Sequence, residues 1–399
     1  MNTVRTSTSL ILAALVACSG ESPEMAASGP LTVTADTTES GVIYVRSGGD
    51  APEWRLEEVL TLDQSSRSDD PLTTFVEATS VALDRTDAIW IADAGSRQIR
   101  VFNPEGSLIR LIGGPGDGPG EFGTLNSIAF VGRSVLALDS VNERIVAFSV
   151  GGGFRGTRPA PFEEGRGSTE RRRLYQVGPS EVYEPVVRDG EEGVERVWVR
   201  HAEGDVAGSR PIVPEPSGAP PTVVTCEAPS EPAPMSFPLP FQARQVQHPA
   251  SRGELAVAWT GEYRVVFLDA AGDTLRIVER ARAPVTLTED DRESVLAPYL
   301  AFRDRHPEAV CEPAELTMPE IAPPIRDLMV DAAGRLLVEA PTPDGMVWDV
   351  YDLAGHPLGT FPSFERTEGV APYATTEGMV WVTEDSSGAQ QVKLARIAR

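Results

Sequence analysis

The chain is poor in the side chains that carry most enzyme chemistry. Its 399 residues include four histidines, His201, His248, His306 and His356, and three cysteines. The histidines form no H-x-H or H-E-x-x-H spacing, which excludes a helix-borne zinc site. His248 and His306 each precede a proline, where loop backbone is expected. No C-x-x-C pair occurs, which argues against a zinc ribbon or a dithiol redox motif. No G-x-S-x-G elbow presents a nucleophilic serine. Positive charge is scarce as well, with Lys+Arg 35 against Asp+Glu 59 and a formal net charge of −24. Such a chain repels nucleic acid and anionic lipid. No apolar run is long enough to cross a hydrocarbon core of about 30 Å. Hydrophobic residues make up 41%, so the chain is too apolar to be disordered throughout.

What is present begins with MNTVRTSTSLILAALVACSGE. Arg5 and the short apolar run 10–17 read as a signal-peptide core. Leu15, Val16 and Ala17 directly before Cys18 resemble the lipobox of bacterial lipoproteins. That resemblance implies cleavage before Cys18 and a lipid on it. The expected organisation is a signal peptide at 1–17, a lipid-anchored flexible linker at 18–40, and one domain at 41–399. Ser19 rather than Asp after the cysteine implies the outer membrane, facing the periplasm or the cell surface. An exported protein meets an oxidising compartment, and Cys226 and Cys311 are then expected to pair.

The stretch GGPGDGPGEF at 113–122 raises the question of a phosphate-binding loop. Pro115 and Pro119 lack the N–H groups such a loop needs, Asp117 and Glu121 oppose an anion, and no lysine follows. It reads as a corner in the chain. On either side of it lies a repeat. SVALD, AIWIAD, QIRVFN and SLIRLIG are strand-like pieces separated by turn residues. LNSIAFV, SVLALD and RIVAFS follow, with a glycine-rich exit at 151–153; Asp93 and Asp139 hold the same place 46 residues apart. Looser copies begin at RLYQVG, FQARQVQ, IRDLMVD and VAPYATT. Four strands at a period of about 45 residues is the pattern of a propeller blade. The sixth copy lacks a fourth strand, which VIYVRS at 42–47 or WRLEEVLTL at 54–62 would supply.

The phrase VALDRTDAIWIADAGSRQIRVFNPEGSLIRLIGG, with GPGEF at 118–122, resembles an NHL repeat and the NHL-related six-bladed propeller lipoproteins of bacteria. The likeness is sharpest over 75–149. It implies a six-bladed, all-β propeller of four-stranded antiparallel blades, closed by an N-terminal strand, and it implies no common chemistry. Two crossings between blades are enlarged. A Pro-rich insertion at 211–240 holds Cys226, and a second at 281–324 holds Cys311. In the second, Thr288 before Glu289, Asp290 and Asp291 starts a short helix with Val295, Leu296 and Leu300 on its apolar face, limited or kinked by Pro298. Both insertions leave the same rim, which strengthens the pairing of the two cysteines and marks that rim as the functional face.

Asp93, Asp139, Glu339 and Glu384 end second strands and are the candidate metal ligands. An acid in this place also caps the turn into the third strand, and that reading is favoured. Trp90, Trp259 and Trp381 recur in second strands and are expected between blades. The expectation is therefore an exported binding scaffold at the cell envelope, more a binding protein than an enzyme, monomeric, with no cofactor. Its partner would be an envelope or extracellular protein, a peptide or a glycan, and membrane contact would come through the lipid alone. The alternative is a lactonase-like hydrolase or lyase using Ca²⁺ or Zn²⁺ in the central channel.

Overall fold

A computed structural model describes residues 26–64, 74–160, 172–190, 193–202 and 206–399. Cys18 and the signal sequence lie outside the described residues. Among the described residues six four-stranded antiparallel units make up the ring, five built from consecutive strands and the sixth completed by an N-terminal strand. Blade one comprises Ala78–Leu83, Ile89–Asp93, Gln98–Phe102 and Leu108–Ile112. Blade two runs from Leu125–Val131 to Phe154–Pro159, and blade three from Tyr175–Val177 to Val206–Pro211. Blade four spans Gln245–Pro249 to Thr274–Arg280, and blade five Asp327–Val330 to Pro357–Pro362. The residues at 151–153 are not an exit from blade two. They turn the chain from its third strand into a fourth, with Gly152 at φ 88° and its N–H bonded to the Ser149 carbonyl.

The turns carry a local reason for their shape. Asp84, Asp269, Asp331, Asp352 and Asp385 each accept backbone N–H groups two and four residues ahead. Between these turns, β-branched and aromatic residues alternate into apolar layers that join successive blades. Trp90 of blade one meets Phe130 of blade two edge-on, with centroids 5.3 Å apart. Trp90 is fully buried, so its truncation to alanine is worth about 3–5 kcal/mol. The corner 113–122 leaves the outer strand of blade one and enters the inner strand of blade two. Gly113 has φ 79°, and a Cβ there would meet Phe122 Cε2 at 2.3 Å. Only glycine fits that approach.

Ring closure uses the second of the two N-terminal candidates. Arg55–Asp63 pairs antiparallel with Gln390–Ala398 as the outer strand of blade six, beside Gly378–Glu384 and Tyr373–Ala374. The first candidate has a different place. Ile43–Gly48 lies parallel to Thr274–Arg280 at the outer edge of blade four and carries Thr32–Thr37 antiparallel beside it. Part of the stretch expected to be flexible linker is thus a strand, because the edge of blade four offers unpaired backbone groups to it.

The two insertions come together as a small separate layer. Met235–Pro238, Val223–Glu227 and Val310–Glu312 form a three-stranded sheet, with Cys226 directly opposite Cys311 and disulfide-bonded to it. The helix Glu289–Arg305 packs on this sheet. Thr288 caps it: Thr288 Oγ1 accepts from the Asp291 N–H, and the Asp291 carboxylate accepts from the Thr288 N–H. The helix runs through Pro298 without stopping. Its packed side is Leu296, Tyr299 and Phe302, and Leu300 is exposed, because the sheet lies one turn-edge away from the stripe that the sequence suggests. Arg282 pins the start of this insertion to blade five through a bidentate ion pair with Asp349, which also accepts from the Tyr263 hydroxyl at 2.6 Å. Burial, and then the Asp349 charge, push the Tyr263 phenol well above its ordinary pKa.

Candidate functional site

Inner strands begin, second strands end and crossings emerge at one rim, as antiparallel pairing dictates. The four predicted acids therefore share that rim, but they do not converge. Asp93 is fully buried. It accepts from the N–H groups of Val76 (3.1 Å) and Glu77 (2.9 Å), from Ser96 Oγ (2.7 Å) and from Arg100 Nε (2.6 Å). Asp139 repeats the device with the N–H groups of Gly123 (3.2 Å) and Thr124 (2.9 Å), Asn142 Nδ2 (2.8 Å) and Arg144 Nε (3.0 Å). Both acids tie the incoming crossing to their own blade as well as capping the turn ahead. Their oxygens are occupied by donors, so neither is placed as a metal ligand.

Glu339 is buried in blade five and held differently. Arg366 clasps it with two bonds of 2.9 and 2.8 Å, and Ser363 Oγ donates to it. Burial would raise its carboxyl, but Arg366 outweighs burial and holds it below its ordinary value. Glu384 is exposed at the end of its strand. One equivalent escaped the sequence reading. Glu184 is buried in blade three, paired with Arg172 and 3.2 Å from His201 Nε2. The long strand Glu181–Gly190 hid it, because Glu184 lies near that strand's start and not at its end. Among the described residues no group of three or more His, Cys, Asp or Glu side chains is arranged to hold a metal.

The channel is lined from all six inner strands by residues that include Ser80, Ser127, Gln176, His248, Met329 and Tyr373. It holds a cavity of about 60 Å³. His248 lies in an inner strand and not in a loop, its Nδ1 2.7 Å from the Pro249 carbonyl oxygen. Burial lowers its pKa to about 4, so the ring is neutral. His306 closes the helix of the second insertion beside Glu231, and His356 sits in a turn with Asp352.

The open site is a groove of about 640 Å³ on the crossing rim, between blades five and six. The crossing 363–368 forms one wall; Thr383 and Glu384 at the end of a blade-six strand form another, and Arg326 stands beside them. Arg326 directly precedes blade five's inner strand, so the groove adjoins the end of the second insertion. Backbone bonds hold the crossing in place: Ser363 N–H to Met346 O and Thr367 N–H to Val382 O, both 2.8 Å. Phe364 stacks on Trp381 at 4.5 Å and 34°. Arg366 spans from Glu339 to Asp327 (3.3 Å) and lies over the Trp348 ring at 5.5 Å. Its charge is thereby consumed within the wall. The exposed charged side chains are Glu365, Glu368, Glu384 and Arg326, the last 3.9 Å from Glu339. This is an acidic, partly aromatic groove with a hydrogen-bonded wall. Ser363 donates to the Glu339 carboxylate that Arg366 already clasps.

One comparison with known proteins bears on the fold. A family described as a 6-bladed beta-propeller, DUF5128, matches residues 75–174. No curated protein matches the chain. Among solved structures, a member of the duf4221 family from Bacteroides vulgatus is 10% identical, with 88% of this chain and 100% of that one covered and a TM-score of 0.44. A gluconolactonase from Xanthomonas campestris is 10% identical, covering 80% and 86%, with a TM-score of 0.36. The calcium-binding protein regucalcin from Agrobacterium tumefaciens is 9% identical, covering 87% and 97%, with a TM-score of 0.38. The chain is a six-bladed β-propeller, the class to which its sheets and the matched family point.

Proposed function

We propose that this propeller is an exported, lipid-anchored binding scaffold of the cell envelope, and that the groove between blades five and six receives a basic segment of a partner protein. One observation carries the reading: an open groove of about 640 Å³ lined by three exposed carboxylates adjoins the end of the second insertion, while the channel holds a cavity of only about 60 Å³. A lysine or arginine side chain would meet Glu365, Glu368 and Glu384, with its aliphatic stem against Phe364. The export and anchoring rest on the signal core, the lipobox-like residues before Cys18, and the Cys226–Cys311 disulfide, which suits an oxidising compartment.

The test is calorimetric titration with lysine-rich and with neutral peptides of equal length. The triple variant Glu365→Gln, Glu368→Gln, Glu384→Gln is expected to lose at least about tenfold in affinity for the basic peptide, since each desolvated charge contact is worth about 1 kcal/mol or more. Equal binding of basic and neutral peptides would remove the groove from the proposal. Metal content, measured after dialysis in metal-free buffer, addresses the hydrolase alternative directly. One retained equivalent of Ca²⁺ or Zn²⁺ per chain would sink the scaffold reading.

A further inference from the structure

We infer that the anchor turns the insertion-bearing rim of the propeller toward the membrane that holds it. The inference rests on the anchored reading above and adds an orientation to it. Its basis is the route of the N-terminal residues. Thr274–Arg280 is the outer strand of blade four and ends at the crossing rim, where the second insertion begins. Ile43–Gly48 runs parallel to it and so ends at the same rim. Thr32–Thr37 runs antiparallel to that strand, so its first residue is also at this rim, with Thr32 opposite Gly48.

Hydrogen bonds fasten the preceding residues there. The Gly49 N–H donates to the Ala26 carbonyl at 2.8 Å, and the Asp50 N–H donates to the Gly29 carbonyl at 2.7 Å. The Gly49 carbonyl accepts from Arg280 Nη2 at 2.9 Å, and the Ala281 N–H donates to the Ser47 carbonyl at 2.8 Å. Ala26 and the first residue of the second insertion are thus held in one hydrogen-bonded patch. Had the N-terminal hairpin paired in the opposite direction, the chain would leave from the far rim.

The tether is short. Cys18 and Ala26 are eight residues apart, a span of at most about 29 Å when fully extended. The far rim lies ~20 Å from that exit at Ala26, the length of a six-residue strand, so a chain turned over would spend about two thirds of the extended tether passing its own side. The insertions carry twelve carboxylates against four arginines, so this face is repelled by anionic headgroups. It faces the bilayer without lying in it. Five apolar side chains, Val223, Met235, Leu300, Val310 and Ile321, are exposed on the insertions and so are presented in the gap.

The experiment uses the full chain, lipidated in a bacterial host and reconstituted in phosphatidylcholine vesicles. A dye is coupled through p-azidophenylalanine placed at Glu293 on the insertion helix or at Ala271 in the far-rim turn of blade four, both exposed. Energy transfer to rhodamine-labelled lipid is expected to be at least about twofold greater from position 293, given rims separated by about 20 Å. Lengthening the tether by 30 Gly-Ser residues after Met25 is expected to erase the difference. Mass spectrometry of the N-terminal peptide separates the two ways of failing. A protein without lipid on Cys18 overturns the anchored reading and the orientation with it. A lipidated protein with equal or reversed transfer overturns the orientation alone, as does a difference that survives the longer tether.

Discussion

Blades one and two and the insertion layer solve the same problem in opposite ways. In the blades, one residue type at one place is used twice: Asp93 and Asp139 each gather two crossing N–H groups and an arginine. Their core is shared with neighbours on both sides. The insertion layer has no repeat and few neighbours. Its core is small, built on Val224, Cys226, Tyr299, Phe302 and Cys311, and a disulfide supplies the constraint that packing area does not. Repetition makes a scaffold rigid without covalent help, and a unique feature placed on it requires a staple.

The largest expected effect separates two acids that look alike. Asp93→Ala takes the Asp93 carboxylate from buried Arg100, and should cost about 3–5 kcal/mol in urea denaturation. Asp139→Ala should cost less, because the Arg144 side chain is 14% exposed against 7% for Arg100 and is more readily solvated. Equal losses would break this account of the caps.

Next comes the staple. Cys226→Ser with Cys311→Ser should destabilise by about 2–4 kcal/mol. Hydrogen exchange should rise in Val223–Glu227, Val310–Glu312 and the insertion helix and stay unchanged in blades one and two. Uniform loosening of the whole ring would show that the layer is not an independent unit.

A third test uses the channel. His248 has a pKa near 4 when folded, below the ordinary value of about 6.5. Between these values the unfolded chain takes up a proton that the folded chain refuses. Stability should therefore be level above pH 6.5 and fall by up to about 3 kcal/mol as pH drops to 4. Thermal melts of His248→Gln should lack that portion of the slope. The smallest expected effect is at Glu384. Its exchange for glutamine should change stability by less than about 0.5 kcal/mol, while weakening any basic ligand of the groove.

The repeat is legible in sequence because each blade restates it: an apolar strand, an Asp or Gly turn, another strand. The corner at 113–122 is legible for the same reason, since prolines and acids oppose an anion whatever surrounds them. Glu184 was not legible, because its equivalence to Asp93 depends on pairing register and not on distance from a turn. The groove was not legible either. Arg326, the crossing 363–368 and Glu384 come from three separate stretches and carry no common motif.

Local chemistry, then, determined the strands, the turns, the blade count and the helix cap at Thr288, since each depends on residues within a few positions of one another. Tertiary structure alone decided which N-terminal strand closes the ring and which extends blade four. Both Ile43–Gly48 and Arg55–Asp63 have strand-forming sequences, and only the location of unpaired sheet edges distinguishes them. The same pairing sets the rim from which the N-terminal residues leave. Long-range hydrogen bonds carry that choice, and no short stretch of residues encodes it.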